Sequence, residues 1–228
     1  MSLLRLHQAV MGQGGGGGPT DPYWANVVSL LHFDGSNGST TFADQKGKTW
    51  SSVNGAQLTT SVSKFGTASL TLAAAGSYAS TLGSADFNFG TGDFTVEGWY
   101  QFTSTARQYI YSNNSNSAAI LITPSSGLLE VYGPSSHVIN AGSTPLSTGA
   151  WYFLSLSRNG NTWRFFVDGV VYQSVTDSRS WGSSSGGVQL AVGGGSRYSG
   201  YIDDFRVTKG VGRYTSNFTP PAAAFPNS

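Results

Sequence analysis

The sequence predicts an all-β fold in which two antiparallel sheets pack face to face. Three observations carry this. The clearest periodic stretch alternates with period two: Phe94, Val96, Gly98, Tyr100 and Phe102 fall on one face, and Thr95, Glu97, Trp99 and Gln101 on the other. Short apolar segments are separated throughout by Gly, Ser and Asn turns. No stretch of twelve or more residues carries a helical period. At 228 residues the chain is long enough for one large β domain with its own core.

In chain order, residues 1–11 form an apolar-leaning arm, and Gly14 to Gly18 is an uninterrupted glycine run. Such a run has maximal backbone entropy and nothing to pack, so it predicts a flexible linker. Residues 1–25 are therefore assigned to an arm and linker, and residues 26–228 to the β domain. Val27 to Phe33 reads as the first strand. Trp151 to Arg158, Thr162 to Val167 and Val170 to Val175 form a three-stranded meander. Its turns are Asn159-Gly160 and Asp168-Gly169, both strong hairpin signals. Val188 to Val192 follows, then a strand from Tyr201 to Val207. Thr219-Pro220-Pro221 to Ser228 is proline-rich and is expected to lie across the domain surface.

The last strand poses the sharpest question. Strict alternation places Tyr201, Asp203, Phe205 and Val207 on one face, and Ile202, Asp204 and Arg206 on the other. Asp203 then sits among large apolar side chains, while Asp204 points outward. A buried carboxylate needs hydrogen bonds, a counter-charge or a cation. Either a neighbouring loop donates backbone N–H groups to Asp203, or a cation binds it.

Several segments, in order, carry a family likeness. They are Leu30-Leu31-His32-Phe33-Asp34-Gly35, Lys64-Phe65-Gly66-Thr67-Ala68-Ser69-Leu70, and Phe89-Gly90-Thr91-Gly92-Asp93-Phe94-Thr95-Val96-Glu97-Gly98-Trp99. Then come Trp151-Tyr152-Phe153, Phe166-Val167-Asp168-Gly169, Gly200 to Val207, and Arg213-Tyr214-Thr215-Ser216-Asn217-Phe218-Thr219-Pro220-Pro221. Together they resemble the laminin-G-like, concanavalin A-like lectin and glucanase jelly rolls. The last piece is similar to domains of bacteriophage tail and fibre proteins. Periodicity alone leaves a jelly roll and an immunoglobulin-like sandwich open; the resemblance implies the two-sheet antiparallel jelly roll. It also implies one structural Ca²⁺ where the last strand meets the first, at Asp203 and Asp34.

Charged residues are only 10% of the chain, against about 25% in an average globular protein, and the net charge is +1. No basic stripe appears, so nucleic acid is not an expected partner. There are no cysteines, which removes disulfides and thiolate chemistry. No apolar run reaches the roughly 18 residues of a membrane span. Met1 to Met11, interrupted by Arg5, His7 and Gln8, does not read as a signal peptide. The expected location is a virion, assembled in the host cytoplasm and extracellular after release.

Hydrolytic members of the superfamily imply two carboxylates on one strand face, about 5–10 Å apart. This chain has two glutamates, Glu97 and Glu130, and the positions two from Glu97 are Thr95 and Trp99. The expected reading is therefore non-enzymatic, with Glu97 as a polar-face residue hydrogen-bonded to neighbouring strands. His7, His32 and His137 sit in no nucleophile context, and no Gly-x-Ser-x-Gly elbow occurs. Ligand binding falls to aromatic and polar loops, because sugar rings stack their C–H faces on flat side chains. The candidates are Trp181 with Arg179 in one polar loop, Tyr111 with Asn113 in a second, and Arg197 with Tyr198 in a third.

The function expected from this reading is a virion-associated binding module. It would be a phage fibre or decoration protein displaying a glycan-binding jelly roll, anchored on other virion proteins through residues 1–20 and oligomeric in the assembly. The alternative is a structural assembly protein that packs on neighbouring subunits without binding sugar.

Overall fold

The computed structural model of the protein describes residues 20–72, 76–113, 118–181, 187–193 and 196–228. The arm expected over residues 1–19 lies outside the described residues. Among the described residues the strands are β1 (Val27–Leu31), β2 (Thr41–Phe42), β3 (Trp50–Val53), β4 (Gln57–Thr59), β5 (Ser69–Thr71) and β6 (Tyr78–Thr81). They continue as β7 (Phe94–Phe102), β8 (Gln108–Asn113), β9 (Ala119–Thr123), β10 (Leu128–Tyr132), β11 (His137–Ala141) and β12 (Trp151–Asn159). The last are β13 (Thr162–Val167), β14 (Val170–Thr176), β15 (Val188–Leu190), β16 (Val192–Gly193), β17 (Ser196–Arg197) and β18 (Gly200–Lys209).

Two eight-stranded antiparallel sheets form the sandwich. The first runs β14-β13-β12-β7-β18-β5-β4, with β1 also paired to β18; the second runs β11-β10-β9-β8-β15-β6-β3-β2. The meander β12–β13–β14 follows the sequence expectation, except that Asn159 pairs with Thr162 and the first turn is Gly160-Asn161; Asp168 and Gly169 both take positive φ, as a two-residue hairpin turn requires. β18, last in sequence, inserts between β7 and β5 and ties the chain's end to its middle.

The core lies between the sheets. Phe94, Val96, Tyr100 and Phe102 of β7 pack with Ile110, Ile120, Ile122, Leu129 and Val131 of the second sheet. One end is filled by aromatic rings: Trp181 stacks on Phe94 at 4.8 Å and Phe89 at 5.7 Å, and meets Trp163 edge-on at 5.8 Å. Tyr111 and Asn113, expected in a polar loop, lie instead in strand β8. All six residues of β8 are buried, so no inside–outside alternation marks it in the sequence.

The outer face of the first sheet is also covered. Residues 21–27, the 62–67 loop and the C-terminal tail lay Trp24, Val27, Phe65, Phe218 and Phe225 over Trp99 and Phe153. Asp21 to Ala25, grouped with the arm by sequence, are held to the sandwich here. Asp21 accepts from Arg206 Nη1 at 2.8 Å and from Arg213 Nη2 at 2.7 Å, and its N–H donates to the Ser228 carbonyl at 2.6 Å. Burial pushes the Asp21 carboxyl up, but the bonds from Arg213 and Tyr23 N and both guanidinium charges outweigh it and hold it below its ordinary range.

β18 does not alternate strictly. Its register with β7 shifts between Asp203, opposite Trp99, and Arg206, opposite Glu97. Asp204 and Phe205 therefore share the single opposing residue Gly98, and Asp204 takes φ 48°. A side chain at Gly98 would press on this bulge, because its Cβ would stand 3.3 Å from Phe205 Cα. The bulge resets parity, so Ile202, Phe205 and Val207 all reach the core. The assignment of Asp203 to the face of Phe205 and Val207 is thereby corrected. Asp203 lies on the covered outer face, where Oδ2 accepts from Lys64 N at 2.7 Å and Phe65 N at 3.0 Å.

The outward placement of Asp204 is corrected as well. Asp204 is fully buried: Oδ2 accepts from Phe225 N at 2.7 Å, and Oδ1 lies 2.5 Å from His32 Nδ1. His32 Nε2 in turn meets Asn227 Oδ1 at 2.7 Å. Burial pushes the Asp203 carboxyl up to about 7; the Phe65 and Lys64 amides oppose the rise, and the Asp204 charge adds to it. Burial alone would lower His32, but the bonds to Asp204 and Asn227 outweigh it and the net shift is upward.

Three outcomes are expected. Asp204→Ala should cost about 2–4 kcal/mol in denaturant unfolding, since it strands a buried amide and the imidazole. Trp181→Ala should cost about 3–5 kcal/mol by the same measurement. Both raised groups, Asp203 and His32, stabilise the fold most below their unfolded pKa values of 3.8 and 6.5, and that contribution is lost as pH rises through the folded values. Asp21, held low, contributes above 3.8 and is lost in stronger acid. The melting temperature should therefore peak at roughly pH 4, where Asp21 is ionised and Asp203 still holds its proton, and fall as pH rises toward 8, with a flatter fall in Asp203→Asn. An unchanged pH profile in that variant would remove Asp203 from the account.

Candidate functional site

The loop residues singled out from sequence do not assemble into a site. Trp181 is completely buried, and its backbone bridges Gly90 while Nε1 donates to the Tyr132 carbonyl at 2.5 Å. A polar loop carries this indole inward to close the end of the core, so its expected role as an exposed sugar contact is corrected. Tyr111 packs beside it at 5.6 Å and is buried too. Asn113 is buried, with Oδ1 accepting from Ala118 N at 2.9 Å across the β8–β9 connection. Tyr198 is buried, its hydroxyl 3.0 and 2.9 Å from the carbonyls of Gln101 and Tyr201. These three are also corrected from ligand contacts to core and turn supports. Arg179 is half-exposed beside a shallow cleft of about 300 Å³ with Pro134, Ser135, Ser136 and Ser180. Its guanidinium is engaged by Asp177 at 2.8 Å and by Ser136 Oγ at 2.7 Å. Arg197 lies in β17, and its side chain is outside the described residues.

Asp203 and Asp34 converge on one loop, but their donor set does not fit calcium. Asp34 Oδ1 accepts from Thr67 N at 2.5 Å and from Thr67 Oγ1 at 3.0 Å, while Asp203 accepts from the amides of Lys64 and Phe65. The loop thus presents N–H donors to both carboxylates. A calcium ion needs about six to eight oxygens there, in part from backbone carbonyls. Among the described residues no group of three or more His, Cys, Asp or Glu side chains is placed to hold a metal. Backbone donation to Asp203, one of the two readings open from sequence, is what the geometry supplies.

The two glutamates are each neutralised by arginine. Glu97 Oε1 accepts from Arg206 Nε at 2.8 Å, and Oε2 accepts from the Tyr214 hydroxyl at 2.7 Å. Glu130 is paired with Arg107 Nε at 2.5 Å and Nη2 at 2.9 Å, and its carboxyl is held below its ordinary range chiefly by that bond. His137 and the Tyr132 hydroxyl complete this cluster on the outer face of the second sheet.

That outer face also carries a polar row that strand pairing places side by side. Thr41, Ser51, Ser80, Gln189 and Ser112 are successive cross-strand partners on β2, β3, β6, β15 and β8. Their chain neighbours Trp50, Ala79, Val188 and Leu190 point into the core, so this row points away from it. On the row lies a cleft of about 280 Å³ lined by Ser51, Tyr78, Ser80, Thr81, Leu82 and Gln189, with Gly83 and Gly187 at its edge. Leu82 is 80% exposed, the most exposed large apolar side chain among the described residues. Hydroxyls, a carboxamide, a phenol ring and an apolar rim are brought together here. None was singled out from sequence; the polar positions of Tyr78-Ala79-Ser80 and Val188-Gln189-Leu190 are the signal that alternation offered.

The comparisons agree with this architecture. Residues 73–211 match the family model of the concanavalin A-like lectin/glucanases superfamily. No curated protein matches the sequence. Among solved structures, domain 4 of the extracellular arabinanase AbnA from Geobacillus stearothermophilus, in complex with arabinotriose, superposes with a TM-score of 0.63 at 16% identity; the match covers 81% of this chain and 93% of that one. The binding domain of Paraclostridial mosquitocidal protein 1 gives a TM-score of 0.65 at 15% identity, with 83% and 50% covered. Trypanosoma rangeli sialidase in complex with sialic acid gives 0.57 at 12%, with 85% and 32% covered, so this chain spans about a third of that enzyme. At these identities the neighbours speak to the fold. With the family model matched over more than half its length, the chain belongs to the concanavalin A-like lectin/glucanases superfamily.

Proposed function

We propose that the protein is a non-catalytic binding module that holds a glycan in the Ser51–Tyr78–Ser80–Gln189 cleft and serves on a virion as a fibre or decoration protein. The single observation that carries the binding site is that cleft, where side chains able both to donate and to accept converge beside an aromatic ring. The family and the neighbouring binding domains support a binding role. The virion setting rests on the tail-fibre resemblance of the closing segment Arg213 to Pro221 and on the arm of residues 1–20, proposed as the attachment to other virion proteins. The arginine-locked glutamates support the absence of hydrolysis, because Glu97 already shares its two oxygens with Arg206 and Tyr214.

The site is tested with the purified full-length chain on an immobilised glycan panel. Binding should occur and should fall at least tenfold in Tyr78→Ala or Gln189→Ala; bound glycan indifferent to both would place the site elsewhere. Incubation with β-glucans or bacterial polysaccharides should release no reducing sugar, and turnover abolished by Glu97→Gln would overturn the non-catalytic reading. Deleting residues 1–20 should leave thermal unfolding nearly unchanged and abolish incorporation into the assembly. Normal incorporation of the shortened chain would refute the anchoring role and favour a module that acts without the arm.

A further inference from the structure

Charge is distributed over the second sheet's outer face in a way that restricts what the cleft can hold. Among its lining residues Ser51, Tyr78, Ser80, Thr81, Leu82 and Gln189, none carries charge at neutral pH. The connecting residues 182–186 leading into β15 read Gly-Ser-Ser-Ser-Gly, and residues 73–75 leading toward β6 read Ala-Ala-Ala, so neither adds an ionisable side chain. Two lysines that reach the segment after Gly83 are already engaged. Lys48 is bonded to Asp86, and Lys209 Nζ donates to the Ala85 carbonyl at 2.6 Å. On the same face Arg107 grips Glu130 with two nitrogens and also reaches the Tyr132 hydroxyl at 3.2 Å.

A carboxylate or sulfate entering this cleft would give up water and find no guanidinium or ammonium among the described lining residues to replace it, which is the costly case for a buried ion. A sugar hydroxyl meets the opposite situation. Serine, threonine and glutamine side chains both donate and accept, so they match a group that does the same. The exposed Leu82 and the Tyr78 ring supply apolar surface for the C–H face of a ring.

We infer that the cleft selects an uncharged saccharide and discriminates against acidic ones. This rests on the cleft being the glycan site proposed above. The test uses a matched pair, oligogalactosides and oligogalacturonides of equal length, which differ at C6 by a hydroxymethyl against a carboxylate. Calorimetric titration of the full-length protein should show the neutral series binding at least tenfold more tightly. Its affinity should be nearly constant between 50 and 500 mM salt, since no charge pair is available to screen. Ser51→Lys, at an exposed position, should raise oligogalacturonide affinity at least tenfold and make it salt-sensitive.

Tighter binding of the acidic series by the unmodified protein, with loss in Gln189→Ala, would overturn the neutral class and keep the site. Binding of either series that ignores Gln189→Ala and Ser51→Lys would overturn the site and the class with it. If Gln189→Ala fails to fold, Ser51→Lys alone decides between these outcomes.

Discussion

Four buried charges hold this chain in one arrangement. Asp21 and Glu97 face Arg206 and Arg213 on the outer side of the first sheet, and all four are nearly inaccessible to water. The set is neutral overall, and each carboxylate is shared by both guanidiniums. Burying two ion pairs is expensive unless every member is satisfied, so the arrangement works only as a unit. Its members come from the entry segment, from β7, from β18 and from the residue run after β18. They bring the two ends of the domain onto its central strands. Tyr214, bonded to Glu97 and stacked on Phe218 at 3.6 Å, carries the tail onward over the sheet.

That outer layer explains why a face with Glu97, Asp203 and Arg206 on it is not a surface. In a two-layer sandwich these side chains would meet solvent. Here the tail and the 62–67 loop make a third layer with its own aromatic cluster. The sheet that remains available is the second one, and the cleft lies on it.

The sequence made the long strands legible because each has one face in the core and a turn at each end. β7, β12, β13 and β14 fall within a residue or two of their expected limits. β8 was hidden because it is buried on both sides, and β2 to β6 because strands of two to four residues carry no measurable period. Asp203 was correctly picked out as a buried carboxylate in need of partners, yet its neighbours on β18 were misplaced. A bulge opposite Gly98 changes parity without leaving a mark in the alternation of apolar residues. The aromatic loop residues misled for a related reason. Polar flanks surround Trp181 on both sides, and only the tertiary bridge to Gly90 turns its ring inward. The cleft residues are small and polar, types abundant throughout this chain, so pairing of distant strands and not composition marks them out.

The buried ion set and the cleft lie on opposite outer faces of the same sandwich. A tether joined at Thr20 would pull on Asp21 and thence on the first sheet, while a ligand held at Ser80 or Gln189 would pull on the second. Tension between the two would run across the apolar core, roughly perpendicular to both sheets, and would not unzip the ladders one hydrogen bond at a time. The mechanical strength of the module under such a load is then set by interdigitated aromatic packing, with the rings of Phe94, Trp163 and Trp181 as its rivets.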